Sequence, residues 1–205
     1  MLQPPSTAER ILEAAERLIA DHGVGNVSVR DITSASGVNT AAVNYHFGTK
    51  DGLIEAIVQR HAEVFGARRS ALLHAVPSSG MTLRDVVRAL VLSTAEFAAD
   101  DEHGGRLFLL CKHRMRSDPA ALVLLEKYFE PYTTDFLRSL EAVTPHLPEK
   151  VRVLRFALAR DAVDLAFSTD AYPTFMERMS GGTATHADYT ELVIDFVEAG
   201  FAAPA

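Results

Sequence analysis

The sequence predicts an all-α fold: an N-terminal three-helix unit of helix-turn-helix form, joined by one long helix to a larger C-terminal helical bundle, about nine helices in all. Three observations lead there. Apolar residues recur at i, i+3, i+4 and i+7, and no stretch alternates as a half-buried strand would. Ser, Thr and Asn stand where helix starts need a side-chain acceptor. Gly and Pro clusters cut the chain into helix-sized pieces.

The elements follow in order. "STAERILEAAERLIADHG" opens with Ser6 three residues before Glu9, the spacing of a capping box. Ile11, Ala14, Ala15, Leu18 and Ile19 then form one stripe, so a helix is expected over about 7–22, stopped by Gly23. Ser28 and Asp31 repeat the capping spacing before a short helix over about 29–36, which Gly37 ends. Asn39 can cap a third helix over about 40–47. After Gly48 and Thr49 a long helix is expected over about 50–74, up to the Pro77–Gly80 cluster. Thr82 caps the next, to about 99, and "GGRLFLLCKHRM" makes a shorter one. Asp118 and Pro119 form an N-cap and N1 pair for a helix to about 142, bent at Pro131. Pro145 and Pro148 mark a boundary before a helix over about 149–170. A mobile "SGGTATH" stretch then leads to a last helix over about 187–202.

Composition narrows the function classes. The chain has 205 residues, 48% hydrophobic and 23% charged, the balance of a folded soluble protein. No apolar run nears the roughly 18 residues of a membrane span, and "MLQPPSTAER" lacks the blocks of a signal peptide. The single Cys111 allows no internal disulfide, so a cytoplasmic location is expected. Net charge is −7, of which residues 1–70 carry only −1. Any nucleic-acid contact must therefore rest on a local patch and neutral donors. The eight histidines are scattered, and Cys111 and His113 fall on different helix faces, so no metal and no Cys–His nucleophile is expected. With no phosphate-binding glycine motif, no cofactor is expected either.

The chemistry concentrates in "GVNTAAVNYHFGTKDGL". On the third helix Val43 and Phe47 share a face, with Val38 and part of Ala42 nearby, and that face should pack inward. Thr40, Ala41, Asn44 and Tyr45 take the opposite quadrant. A face of hydroxyl, methyl, amide and phenol builds core poorly but suits base edges in a DNA major groove. His46 and Lys50 are placed for phosphates, and Ser28 and Arg30 for the other flank of the groove. Taken singly, the helix also fits plain solvated surface, and Tyr45 or His46 fits packing that closes a small domain. The combination of two capped short helices, a Gly turn and one polar quadrant favours DNA.

The stretch "SVRDITSASGVNTAAVNYHFGTKDGLIEAIV" resembles the DNA-binding signature of the TetR family of transcriptional repressors, through Ile32, Ala35, Gly37, Val38, His46, Phe47, Lys50 and Leu53. The resemblance spans about residues 7–60. Asn44 stands where the family usually has tyrosine, Thr33 where it has alanine, and Thr49 where it has serine. The resemblance implies phosphate contacts at Ser28, Tyr45, His46 and Lys50, and base reading at Thr40, Ala41 and Asn44. It implies a homodimer on a palindromic double-stranded operator, joined through the helices near 149–170 and 187–202. It divides the chain into a DNA-binding domain, 5–52, and a ligand-binding and dimerisation domain, 53–205.

In the C-terminal part "RLFLLCKHRMRSDP" and "LLEKYFEPYTTDFLRSL" are faintly similar to a fatty-acid-responsive subgroup, which implies a small, apolar effector. Phe97, Phe108, Phe129, Tyr132, Phe136 and Phe167 are candidates to line its cavity, or are ordinary core. Asp161 and Asp164 could pair with Arg155, Arg160 or a partner chain; an interface or surface salt bridge is favoured over a ligand contact. Arg60, Arg68 and Arg69, amid Glu55 and Glu63, read as a solvated face of the long helix. The expected function is a ligand-responsive repressor. The rivals are an activator or effector-free regulator, a helix-turn-helix that contacts only protein, and a small helical enzyme, for which no catalytic pair stands out.

Overall fold

The computed structural model describes residues 5–77, 79–182 and 185–205. Among them are ten α-helices, one 3-10 turn and no strand: α1 (Thr7–His22), the 3-10 turn (Val24–Asn26), α2 (Val29–Ser36), α3 (Thr40–Phe47), α4 (Lys50–His74), α5 (Leu83–Ala98), α6 (Gly105–Met115), α7 (Pro119–Val143), α8 (Glu149–Phe167), α9 (Ala171–Met179) and α10 (His186–Ala202). By packing, Met1–Glu63 with Leu107–Phe129 forms one compact unit, and Val64–Arg106 with Glu130–Ala205 the other. Helices α4, α6 and α7 contribute residues to both.

The helix starts follow their capping chemistry. Ser6, Ser28, Thr82 and Thr185 each form a reciprocal box with the acid three residues on. Gly37 takes the left-handed conformation at φ 67°, which ends α2 and turns the chain into α3. A Cβ there would also meet the Arg10 guanidinium at 3.0 Å, because Arg10 Nη2 donates to the Ser36 carbonyl at 2.6 Å. That bond satisfies a terminal carbonyl of α2 and holds it to α1.

The first unit closes on Ile11, Ala15, Ile19, Ile32, Val43, Leu53 and Ile57, all essentially inaccessible. Within this apolar set lies a buried polar pair, His61 Nε2 and Glu16 Oε1 at 2.8 Å, with Phe108 stacked on the imidazole at 4.1 Å. Arg114 Nε donates to the Ala20 carbonyl at 3.2 Å, tying α6 to the end of α1.

In the second unit α5, α8 and α10 pack on one another through Val87, Leu90, Phe156, Val163, Ile194 and Val197. Phe65 and Phe97 stack in parallel, centroids 4.6 Å apart. Arg84 holds α10 from outside, reaching Glu191, Asp195 and Glu198 at 3.0, 2.8 and 2.6 Å, and Arg88 reaches Glu191 at 2.5 Å.

Three expectations need correction. Residues 149–170 are not one helix: α8 ends at Phe167 and the separate α9 follows. Pro173 does not stop α9, because it sits in the first turn, where no backbone N–H is required. Arg69 is not solvated: its guanidinium is buried between the Phe65 and Phe136 rings, 4.4 and 5.7 Å from their centroids, and donates to Ser93 and Thr94. Asp164 is buried within α8 rather than on its surface, while Asp161 does pair with Arg160 at 3.1 Å. Of the "SGGTATH" stretch, residues 183 and 184 lie outside the described residues.

One close approach gives a direct test. A Cβ on Gly105 would lie 1.7 Å from the Phe97 carbonyl oxygen, so the α6 backbone must shift to admit one. Gly105→Ala is expected to cost at least about 1–3 kcal/mol, visible as a lower denaturant midpoint. A variant as stable as the parent would contradict the contact.

Candidate DNA-binding site

Helix α3 is held as the sequence requires. Asn39 Oδ1 accepts the Ala42 N–H at 2.9 Å, Val43 is fully buried, and Phe47 is half-buried. This inward face fixes the helix rotation, so Thr40, Ala41, Asn44, Tyr45 and His46 all emerge exposed on the other side. Tyr45 is the extreme case, at 85% exposure. Among the described residues the Thr40, Asn44, Tyr45 and His46 side chains form no hydrogen bond, which leaves their donors and acceptors to an external partner. Tyr45 and His46 meet edge to face at 5.1 Å.

The flanking candidates are more engaged. Arg30 is exposed on α2. The Ser28 hydroxyl donates to Asp31 Oδ2 at 2.6 Å, and its backbone N–H donates to the same oxygen at 2.8 Å. These two bonds hold the Asp31 carboxyl below its usual range. Ser28 is thus first a helix cap, with its hydroxyl proton already committed. Lys50 is half-buried, and its ammonium donates to the Val24 carbonyl at 2.6 Å. This bond pins the start of α4 to the 3-10 turn before α2. An ammonium has three donors, so the contact leaves two for a phosphate. The start of α4 is shaped closely: Thr49 Oγ1 accepts the Gly52 N–H at 3.0 Å, and a Cβ on Gly52 would lie 2.2 Å from the Phe47 carbonyl oxygen.

The structure brings all eight sequence-predicted DNA residues into the first compact unit. It does not do the same for the six candidate effector-lining aromatics. Phe108 and Phe129 belong to that first unit, ring centroids 6.4 Å apart. Phe97, Tyr132, Phe136 and Phe167 belong to the second, where Phe97 stacks on Phe65, Phe136 faces Phe156 and Phe167 meets Tyr189 edge-on. An apolar groove of about 350 Å³ in the second unit is lined instead by α8, α9 and α10, with Ala162, Ala166, Tyr172, Met176, Leu192 and Phe196 in its wall. None of the six lines it. Its signal in the sequence was the spacing of Tyr172 and Met176, four residues apart on either side of Pro173.

Among the described residues no cluster of His, Cys, Asp and Glu is suited to a metal, and no helix is long and apolar enough to cross a membrane. Burial pushes the Cys111 thiol well up, with Glu16 adding to the effect, so it is no ready nucleophile.

Comparison with known proteins agrees with this geometry. Residues 11–57 match the profile of bacterial regulatory proteins of the tetR family, and residues 88–200 match that of the tetracyclin repressor-like C-terminal domain. An HTH-type transcriptional repressor of Mycobacterium tuberculosis is 42% identical over 67 residues, 33% of this chain and 34% of that protein. The repressor AcnR of Corynebacterium glutamicum is 35% identical over 60 residues, 29% of this chain and 32% of that one. The chain thus spans about a third of the length of these curated relatives. A putative tetR family regulator from Shewanella sp. PV-4 superposes with a TM-score of 0.68 at 17% identity, covering 95% of this chain and 97% of that one. FadR from Bacillus subtilis, in complex with stearoyl-CoA, superposes at 0.59 and 14% identity over 93% of this chain and 97% of that one. The second profile alone covers more than half of the chain, and the first covers the helix-turn-helix whose exposed face is described above: this protein belongs to the TetR family.

Proposed function

We propose that the protein is a homodimeric repressor that leaves a palindromic operator when a small apolar effector binds its C-terminal part. The observation that carries the reading is the α3 face, with Val43 fully buried behind it and the Thr40, Ala41, Asn44 and Tyr45 side chains exposed and without internal hydrogen bonds. Thr40, Ala41 and Asn44 read base edges; Tyr45, His46, Lys50, Ser28 and Arg30 address the backbone. Asn44, which departs from the family pattern, sets this protein's own base preference. Repression is supported by relatives named as repressors.

Dimerisation is supported by α8 and α10. Leu154 and Leu158 on α8, and Leu192 and Phe196 on α10, are each four residues apart and exposed, Leu158 at 62% and Phe196 at 73%. Two apolar stripes open to water are what an unpaired half of a helical bundle presents. On this reading the chain divides into 5–52 for DNA binding and 53–205 for effector and dimer. The effector's apolar character is supported by the FadR relative bound to stearoyl-CoA. Effector binding acts through α4, whose 25 residues contribute to both compact units. At about 1.5 Å per residue it is about 37 Å long. A change in its course alters the separation of two recognition helices that must span half-sites about 34–36 Å apart. A coupling of about 1–3 kcal/mol then changes affinity about 5- to 150-fold.

Variants of the site test the assignment. Tyr45→Ala and Lys50→Ala are each expected to weaken operator binding, and Lys50→Ala also to reduce the salt slope by about one unit. The salt slope separates a phosphate contact from the bond to Val24, whose loss alone lowers stability without changing counterion release. If both variants bind like the parent, these residues do not form the interface.

A further inference from the structure

Helix α9 has no buried residue, yet four of its nine side chains are large and apolar. Tyr172, Phe175 and Met179 fall at i, i+3 and i+7 and so form one stripe, with Phe175 54% and Met179 69% exposed. A helix this short does not hold itself in water, and an exposed stripe of this kind marks a surface awaiting a partner. Its ends are nevertheless fixed. Asp170, just before it, pairs with Arg106, and the Gly182 N–H donates to the Glu177 carbonyl at 2.8 Å after it. Between these anchors, Tyr172 and Met176 form one wall of the apolar groove whose other walls are α8 and α10.

The same patch carries both a projection and a recess. Phe196 stands on α10 at the groove's edge, mostly exposed, while Ala162 and Ala166 leave room in the wall. A two-fold interface sets one patch against its own copy, so it needs a knob and a hole on the same surface. The patch is also continuous with the α8 and α10 stripes, since Leu192 and Phe196 belong both to the stripe and to the groove wall. We propose that α9 is a third element of the homodimer contact: the groove receives Phe196 of the second copy, and the Tyr172, Phe175 and Met179 stripe lies against that copy's α8 and α10. This rests on the dimer reading above and adds an element to it.

The test uses the full chain. Sedimentation on dilution compares the parent with the double variant Phe175→Ser and Met179→Ser, whose exposed positions leave the core intact, as far-UV dichroism would verify. The expected result is a dimer dissociation constant raised at least about tenfold at unchanged helicity. Benzoylphenylalanine in place of Phe175 gives an independent reading that needs no weakened variant: irradiation should yield a covalent dimer, and Phe196→Ala should reduce its yield. A dimeric parent whose α9 double variant dissociates at the same concentration, with no covalent dimer from position 175, overturns the role of α9 and leaves the α8 and α10 interface standing. The same loss of effect with an altered effector response assigns the groove to the effector and also overturns it. A parent that sediments as a monomer, alone and on DNA, overturns the dimer reading itself.

Discussion

On the proposed dimer, Leu158→Glu combined with Phe196→Glu is expected to make the protein monomeric in solution and to lower its operator affinity by about 10²- to 10⁴-fold, the gain that joining two half-site contacts supplies. Both side chains are exposed, so the protomer's own core loses nothing. The cost falls on association, where two carboxylates per protomer would have to enter an apolar interface without partners. A palindromic site is read by two recognition helices held at a fixed spacing, and a free protomer must bind each half-site independently. Light scattering gives the mass, and fluorescence anisotropy on a labelled operator gives the affinity. A double variant that remains dimeric would move the interface away from α8 and α10.

Phe97→Ala is expected to remove about 3–5 kcal/mol of folding stability. Its ring is inaccessible, stacked in parallel on Phe65, and closed from one side by the Gly105 backbone. Truncation therefore leaves a cavity whose walls include main chain that cannot easily collapse. Against a typical total of about 5–15 kcal/mol the loss is large. For a chain of this size it lowers the melting temperature by about 6–20 °C. The result also decides between two roles for the residue. An aromatic lining an open effector cavity already lacks contacts on one side, so its removal would cost little stability and mainly change the effector response.

The helix-turn-helix was the part of the structure most legible in the sequence. Capping is local chemistry: Ser6 with Glu9, Ser28 with Asp31 and Asn39 with Ala42 act over three residues, so the ends of α1, α2 and α3 follow from short stretches. The rotation of α3 is equally local, set by one apolar stripe. Arg69 was not legible, because Arg60, Arg68 and Arg69 look alike along α4. What buries Arg69 is a pair of hydroxyls more than twenty residues away, together with the Phe65 and Phe136 rings. The commitment of Lys50 to Val24 is hidden for the same reason, being a contact across 26 positions. The aromatic residues show the limit most clearly. Sequence marks Phe97, Phe136 and Phe167 as apolar, but whether their rings meet each other or a cavity depends on how helices cross. Helix α9 was not anticipated from the sequence; Pro173 is compatible with it because it sits in the first turn.

The most direct measurement is an anisotropy titration of the full chain against a palindromic fragment from upstream of its own gene, beside a scrambled duplex of equal length. At fixed physiological salt, binding as one dimer per palindrome is predicted, at least about 10³-fold tighter than to the scrambled duplex, with the preference reduced by Asn44→Ala. Equal affinity for the two duplexes, unchanged by any substitution on α3, would contradict a base-reading role for that helix.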